Sequence, residues 1–301
     1  MKVSVLMGGT SAEREVSLKT GKAILGACSE LGYETTPVDF NGDYNSILYD
    51  LKFSDIVFNA LHGTIGEDGT IQSWLDENNI NYTGSGFDSS KLCMNKNESK
   101  KIVCDNNYNT PRWRTIDDAS SKINEKIIKS IIYPCIVKPN AQGSTFGLSM
   151  VNNENELIKA IKLAMLYDST SLIEEYILGR EITVGILGGK ALPIVEIIPN
   201  HQLYDYECKY VPGMSKYSCP ADIEPNKEKQ IKKDSENIFK LLGCRGYGRL
   251  DFLLDRRGRH FFLELNTLPG MTSTSLLPIA AEKSGTSFTE LVDSIIRLSL
   301  I

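Results

Sequence analysis

Gly246-Tyr247-Gly248-Arg249-Leu250-Asp251-Phe252-Leu253-Leu254-Asp255-Arg256-Arg257-Gly258-Arg259-His260-Phe261-Phe262-Leu263-Glu264-Leu265-Asn266 alternates apolar and polar residues on both sides of Arg257-Gly258. That pattern predicts a β-hairpin with one packed and one polar face. If Arg257 and Gly258 form the turn, Asp251 faces Glu264 and Arg249 faces Asn266. Leu250, Phe252 and Leu254 then share one face, and Arg249 and Asp251 the other. Glu264 and Asn266 share a face opposite Leu263 and Leu265. A three-residue turn with a bulge is the alternative, and it changes the register. Two carboxylates that close repel unless a cation or proton lies between them, and such hard oxygens suit Mg²⁺ held jointly with phosphate. An ordinary salt-bridged, solvated face carries the same pattern.

Upstream, Ile182, Val184 and Ile186 alternate, Gly188-Gly189 mark a hairpin turn, and Leu192 to Ile198 return. The stretch from Pro199 to about Pro225 has no clear period, and long irregular segments in compact domains are usually lids, so residues 199–220 are expected to form one. Residues 95–182 read as a compact α+β unit with a lysine-rich start, strands Tyr133 to Lys138, Leu148 to Val151 and Ser171 to Ile177, and a helix Glu156 to Leu166. Its loop Gly143-Ser144-Thr145-Phe146-Gly147 offers backbone N–H groups to phosphate oxygens, or is simply a turn. It lacks the G-K-[ST] of a Walker loop. Residues 1–94 alternate strands (Lys2 to Met7, Thr35 to Phe40, Asp55 to Leu61) with helical patterns, the signature of βαβ units on a parallel sheet. Ligands of such sheets sit beyond the carboxyl ends of the strands, where Gly8-Gly9 and His62-Gly63 fall. The fold class is therefore α/β plus α+β, with units 1–94, 95–182 and 183–301.

The 301 residues carry a net charge of -5, which argues against a duplex nucleic-acid binder, so an anionic ligand must be held by local lysines. No run approaches a membrane span, and Gly8-Gly9 interrupts the only apolar start, so the expectation is a cytoplasmic protein with no membrane partner. Seven cysteines without a C-x-x-C pair signal neither a disulfide framework nor a zinc site.

Several longer motifs recur in order: Gly8-Gly9-Thr10-Ser11-Ala12-Glu13-Arg14-Glu15-Val16-Ser17, Ala60-Leu61-His62-Gly63 with Gly66-Glu67-Asp68-Gly69, and Tyr82-Thr83-Gly84-Ser85-Gly86. Tyr204 to Tyr210, Gly248-Arg249-Leu250-Asp251 and Glu264 to Thr272 complete the set. Together they resemble the D-alanine:D-alanine ligase family, over essentially the whole chain. The resemblance implies an ATP-grasp fold behind an N-terminal Rossmann-like domain. It also implies an ADP-forming ligase that joins two D-alanines through a D-alanyl phosphate for peptidoglycan synthesis. ATP and the first carboxylate bring about five negative charges, of which two Mg²⁺, or Mn²⁺, neutralise about four.

By the same resemblance Lys96, Lys138, Lys209, Glu174, Glu175, Tyr176, Ile177 and Glu181 bind ATP, and Asp251, Glu264 and Asn266 hold the metals. Glu13 and His62 receive the first D-alanine, Ser275 and Leu276 the second. Arg249 and the Gly270 N–H face the oxyanion, and Glu13, Ser144 and Tyr210 form a hydrogen-bonded set that closes the site. A homodimer is implied too. Asn95, Gln142, Thr145 and Cys208 depart from the family's usual residues. The alternatives are a ligase taking D-serine or D-lactate second, and a nucleotide-binding module without turnover; a nicotinamide enzyme lacks its G-x-G-x-x-G.

Overall fold

The computed structural model describes residues 1–117, 130–201, 204, 206–211 and 213–300, and of Tyr206 and Tyr210 the backbone only. Among these residues three sheets form the frame. The first is parallel, β1 (Lys2–Gly8) lying between β2 (Glu34–Phe40) and β3 (Ile56–Asn59). Val3, Val5 and Leu6 are all buried because helices cover both faces of this sheet. Helix α1 (Arg14–Glu30) turns Thr20, Gly21, Ile24, Ala27 and Cys28 inward. Gly21 permits the close approach: a Cβ there would lie 2.4 Å from Met7 Sδ. On the other face Ile47 and Leu51 of α2 (Tyr44–Lys52) and Ile71 and Leu75 of α3 (Thr70–Glu77) join Leu6, Val38 and Val57.

Helix α4 (Phe87–Met94) leads into α5 (Lys96–Asp105). Asn95 caps α5, accepting from Glu98 N at 3.1 Å, so this departure preserves the cap that Asp would supply. The second sheet is antiparallel, in the order β4 (Trp113–Ile116), β7 (Ser171–Glu175), β5 (Cys135–Pro139), β6 (Ser149–Val151). Leu157, Ala160, Ile161 and Ala164 of α6 (Glu154–Ala164) pack on it.

The third sheet runs β11 (Ser215–Ser218), β10 (Val195–Pro199), β8 (Gly179–Leu187), β12 (Tyr247–Asp255), β13 (His260–Asn266), with the short β9 (Lys190–Ala191) also on β8. Its apolar face, including Ile182, Val184, Leu250, Phe252 and Leu265, packs on Ile231, Ile238 and Phe239 of α8 (Pro225–Leu241). Helices α9 (Leu276–Lys283) and α10 (Phe288–Leu298) return to the first sheet, where Leu291 and Ile295 share a core with Ile24 and Cys28. Phe252→Ala should therefore cost about 3–5 kcal/mol of stability, since Phe252 is fully buried; urea denaturation measures it.

Two expectations need correction. The hairpin turns through Arg256-Arg257-Gly258, with Asp255 N donating to Arg259 O at 2.9 Å, not through a two-residue turn. Near the turn the pairs are accordingly Phe252 with Phe262 and Leu254 with His260. A bulge at Leu263 then takes up the offset, and Asp251 still faces Glu264 and Arg249 still faces Asn266. The two irregularities cancel. Because a bulge sets two residues against one partner, Leu263 lines the same cleft as Glu264 instead of pointing away from it. The stretch after Pro199 is also less irregular than its composition suggests. Tyr206–Tyr210 form a helix, α7, and Ser215–Ser218 add a strand beside β10, while residues 202, 203, 205 and 212 lie outside the described residues.

No disulfide joins the cysteines among the described residues, and Cys93 and Cys244 approach to 3.6 Å between sulfurs. Among the described residues no helix is long and apolar enough to cross a membrane.

Candidate active site

Between the second and third sheets lies a cleft of about 320 Å³. Lys96, Lys138, Glu174, Glu175, Tyr176, Ile177, Glu181 and Lys209 line it together with Asp251 and Glu264. Ile136, Phe146, Leu148, Leu253 and Leu263 supply apolar surface, so one end suits a flat ring and the other an anion with its counter-ions.

Alternation on β8 and β12 brings Glu181, Thr183 and Asp251 to one face, since Thr183 pairs with Asp251. Asp251 accepts protein donors on both oxygens. Arg249 grips it with Nε to Oδ1 and Nη2 to Oδ2, both at 2.9 Å, Thr183 Oγ1 donates to Oδ1 and Asn266 Nδ2 to Oδ2 at 3.0 Å. The arginine's own proton is held more firmly than usual, as Asp251 outweighs the effect of burial. Glu264 pairs with Lys96 at 3.1 Å. Burial pushes the Glu264 carboxyl up, but Lys96, then Lys209 and Lys138, outweigh it and hold the pKa well below the usual range. Lys96 also donates to the Gln142 carbonyl at 2.8 Å. That contact uses the backbone of residue 142, so it survives the side-chain departure there. Burial, then the neighbouring Asp251, pushes Glu181 up to about 8.

Two carboxylates and an amide on facing strands are hard oxygen ligands of the kind Mg²⁺ and Mn²⁺ take alongside water and phosphate, so the donor set fits such an ion. Among the described residues no group of three or more His, Cys, Asp or Glu is placed to hold a metal ion, so the set here is two carboxylates and an amide.

A second cluster gathers at the carboxyl ends of β1 and β3. Gly8 N donates to Ser17 Oγ at 2.9 Å and Ser17 Oγ to Ala60 O at 2.7 Å, locking the two loops together. His62 is 3.0 Å from Glu67 Oε1 through Nδ1 and 3.0 Å from Thr20 Oγ1 through Nε2. Glu13 is 6% exposed, and its Oε1 has no hydrogen-bond partner among the described residues. Burial and the nearby Glu67 raise its pKa, against a hydrogen bond from Ser144 and the charges of His62 and Lys209. The loop 143–147 bridges the two clusters: Gly143 and Thr145 line the cleft, while Ser144 reaches Glu13. Ser144 and Thr145 take φ of 51° and 59°, a strained region for a β-branched residue such as Thr145.

Gly270 lies in the segment leading to α9, Ser275 is the cap residue of that helix and Leu276 its first residue. Ser275 Oγ accepts from Thr272 N at 3.1 Å, and Leu276 is 7% exposed, its side chain in the core. Leu276 can therefore offer a ligand its backbone but little side-chain surface. The expected bond from the Tyr210 hydroxyl lies outside the described residues. Lys100, Thr183 and Glu67 were not anticipated as site residues. Lys100 follows Lys96 by one helical turn and Glu67 lies in a quoted motif, whereas Thr183 needed the β8 to β12 pairing, which nothing in the sequence announces.

Family models described as D-ala D-ala ligase N-terminus and C-terminus match residues 44–85 and 103–297. A D-alanine–D-alanine ligase of Aquifex aeolicus is 44% identical over 297 residues, covering 98% of this chain and 100% of the relative. The solved Bacillus anthracis D-alanine–D-alanine ligase complexed with ATP superposes with a TM-score of 0.86 at 34% identity, covering 100% of this chain and 97% of that one. The VanG D-Ala:D-Ser ligase from Enterococcus faecalis gives 0.85 at 30% identity, covering 99% of each. The three sheets and the cleft between them are thus an ATP-grasp ligase fold, and the chain belongs to the D-alanine–D-alanine ligase family.

Proposed function

We propose that this enzyme joins two D-alanines using ATP, in the cytoplasm, for peptidoglycan precursors, and works as a homodimer. A carboxylate oxygen of the first D-alanine attacks the γ-phosphorus, ADP leaves, and an acyl phosphate forms. The amine of the second D-alanine attacks the acyl carbon, phosphate leaves, and one proton is released. The observation that carries this reading is the convergence of Lys96, Lys138 and Lys209 with Asp251 and Glu264 on one cleft. A lysine cluster facing carboxylates is what a triphosphate with its cation requires.

In this reading Asp251, Glu264 and Asn266 hold two Mg²⁺ or Mn²⁺, which would supply charge neutralisation on the transferred phosphoryl group. The backbone of Glu174 to Ile177 and the Glu181 side chain meet the adenine and ribose, and Lys96, Lys138 and Lys209 the phosphates. The unpartnered Glu13 oxygen takes the first D-alanine's ammonium, beside His62. Ser275 and the backbone of Leu276 receive the second, and Arg249 with the Gly270 N–H meets the oxyanion. Ser144 and Tyr210 link Glu13 to the loop and lid. The test is product analysis: D-alanine, ATP and Mg²⁺ should yield D-alanyl-D-alanine and ADP, and L-alanine neither. Parallel incubations with D-serine and D-lactate should give far less mixed product; if they exceed the dipeptide, the second-substrate assignment is wrong.

The segment 199–220 contributes Pro199, Tyr204 and Lys209 to the cleft wall, which supports its role as a lid shielding the acyl phosphate from water. Tryptic cleavage after Lys209 and Lys216 should slow when ATP, Mg²⁺ and a phosphinate mimic of the intermediate are added. Equal cleavage rates with and without them would remove the lid from the scheme.

A further inference from the structure

Of the three lysines of helix α5, Lys96 and Lys100 lie one turn apart, and Lys96 alone lines the cleft. Lys100 is 0% exposed, its Nζ 3.0 Å from Glu174 Oε1 and 2.8 Å from Thr110 Oγ1. The other oxygen of the same carboxylate, Oε2, is 3.0 Å from Lys138 Nζ on the cleft wall. One glutamate is thus shared by two ammonium groups, one sealed behind the wall and one at its surface. Burying a charge is unfavourable unless it is paired, so a lysine wholly removed from water is placed there at a cost that some other gain must offset.

The charge count identifies the gain. With Lys100 present, Lys100, Glu174 and Lys138 sum to one positive charge, and the only member able to present it to a ligand is Lys138. Without Lys100, Glu174 would cancel Lys138, and only Lys96 and Lys209 of the cleft's three lysines would be left to face an anionic tail.

We propose that Lys100 is a positioning residue for nucleotide binding: it neutralises Glu174 and fixes its carboxylate, so that Lys138 keeps an uncompensated charge for a phosphate. The proposal rests on the reading above that Lys138 meets the ATP phosphates. It explains how a buried carboxylate is tolerated beside a site for polyanions. Burial, the largest influence, lowers the Lys100 pKa to about 8, whereas Glu174 and Glu264 outweigh burial at Lys138 and raise it.

The test compares full-length Lys100→Met, Lys138→Met, Glu174→Gln and the Lys100→Met/Glu174→Gln pair, titrated calorimetrically with ATP and with adenosine. Lys100→Met should lower the ratio of ATP to adenosine affinity about tenfold. KM for D-alanine should stay unchanged. The double variant should restore the ratio, because an amide at position 174 has no charge with which to cancel Lys138, and Glu174→Gln alone should raise it. A purely packing role for Lys100 predicts equal losses for both ligands and no restoration, and either result overturns the proposal. If Lys100→Met does not fold, Glu174→Gln and the double variant decide: a ratio that fails to rise in the first, or stays depressed in the second, also overturns it. An unchanged ratio in Lys138→Met would instead remove the phosphate assignment of Lys138. A loss in Lys138→Met without one in Lys100→Met would remove Lys100 alone.

Discussion

Arg249→Lys is expected to lower kcat by about 10³-fold, with a far smaller effect on KM for ATP. Arg249 grips both oxygens of Asp251 through two bonds of 2.9 Å, and its side chain is 15% exposed. Lysine is a point charge without the planar fork, so it can hold one oxygen or face the reaction, but not both. In the proposed scheme the oxyanion develops only after the amine attacks. A donor aimed at it therefore acts on the transition state and leaves ground-state nucleotide binding almost untouched. The variant should still fold, because Asp251 keeps Thr183 and Asn266 as donors and a positive charge remains nearby. Steady-state kinetics and a thermal melt together make the check. A kcat within about threefold of the parent's would show that Arg249 is only a structural clasp for Asp251.

Glu264→Gln should raise the Mg²⁺ concentration needed for half-maximal turnover by about 10²-fold, and Asp251→Asn should act in the same direction. Glu264 is held ionised by Lys96, Lys209 and Lys138, so it stands ready as an anionic oxygen ligand rather than as a protonated acid. The amide keeps the shape and removes the charge. It also frees Lys96 from its 3.1 Å partner, so nucleotide binding without metal should be preserved or strengthened while metal binding weakens. Mn²⁺ binding followed by electron paramagnetic resonance reads the metal directly, apart from turnover. Unaltered Mn²⁺ binding in both variants would return the pair to an ordinary salt-bridged sheet face.

The alternating hairpin shows where the sequence was legible and where it was not. Asp251 opposite Glu264 follows from alternation plus a turn position, yet the true turn has three residues and Leu263 bulges. The sequence-based pairing was right because two offsets of opposite sign cancelled, and no local propensity encodes that cancellation. A bulge depends on what the strand must face, here a cleft that takes Leu263 and Glu264 on the same side. The segment after Pro199 was opaque for a related reason: β11 is a strand because β10 offers it an edge, and Tyr204 to Ser218 alone shows no period.

The sequence by itself determined the parallel first sheet, through buried apolar runs at β1 and β3 punctuated by Gly8-Gly9 and Gly63. It also pointed to Lys209, Asp251 and Glu264 of the cleft, which lie inside motifs long enough to identify the family. Those signals are local in the chain, and local signals survive without knowledge of distant neighbours. Only the tertiary structure decided which charges cancel. The sharing of Glu174 between Lys100 and Lys138, the Thr183 bond to Asp251 and the Ser144 contact with Glu13 all join residues from different elements. The worth of a charge is set by its burial and its neighbours within a few ångströms, and both are properties of the packed molecule.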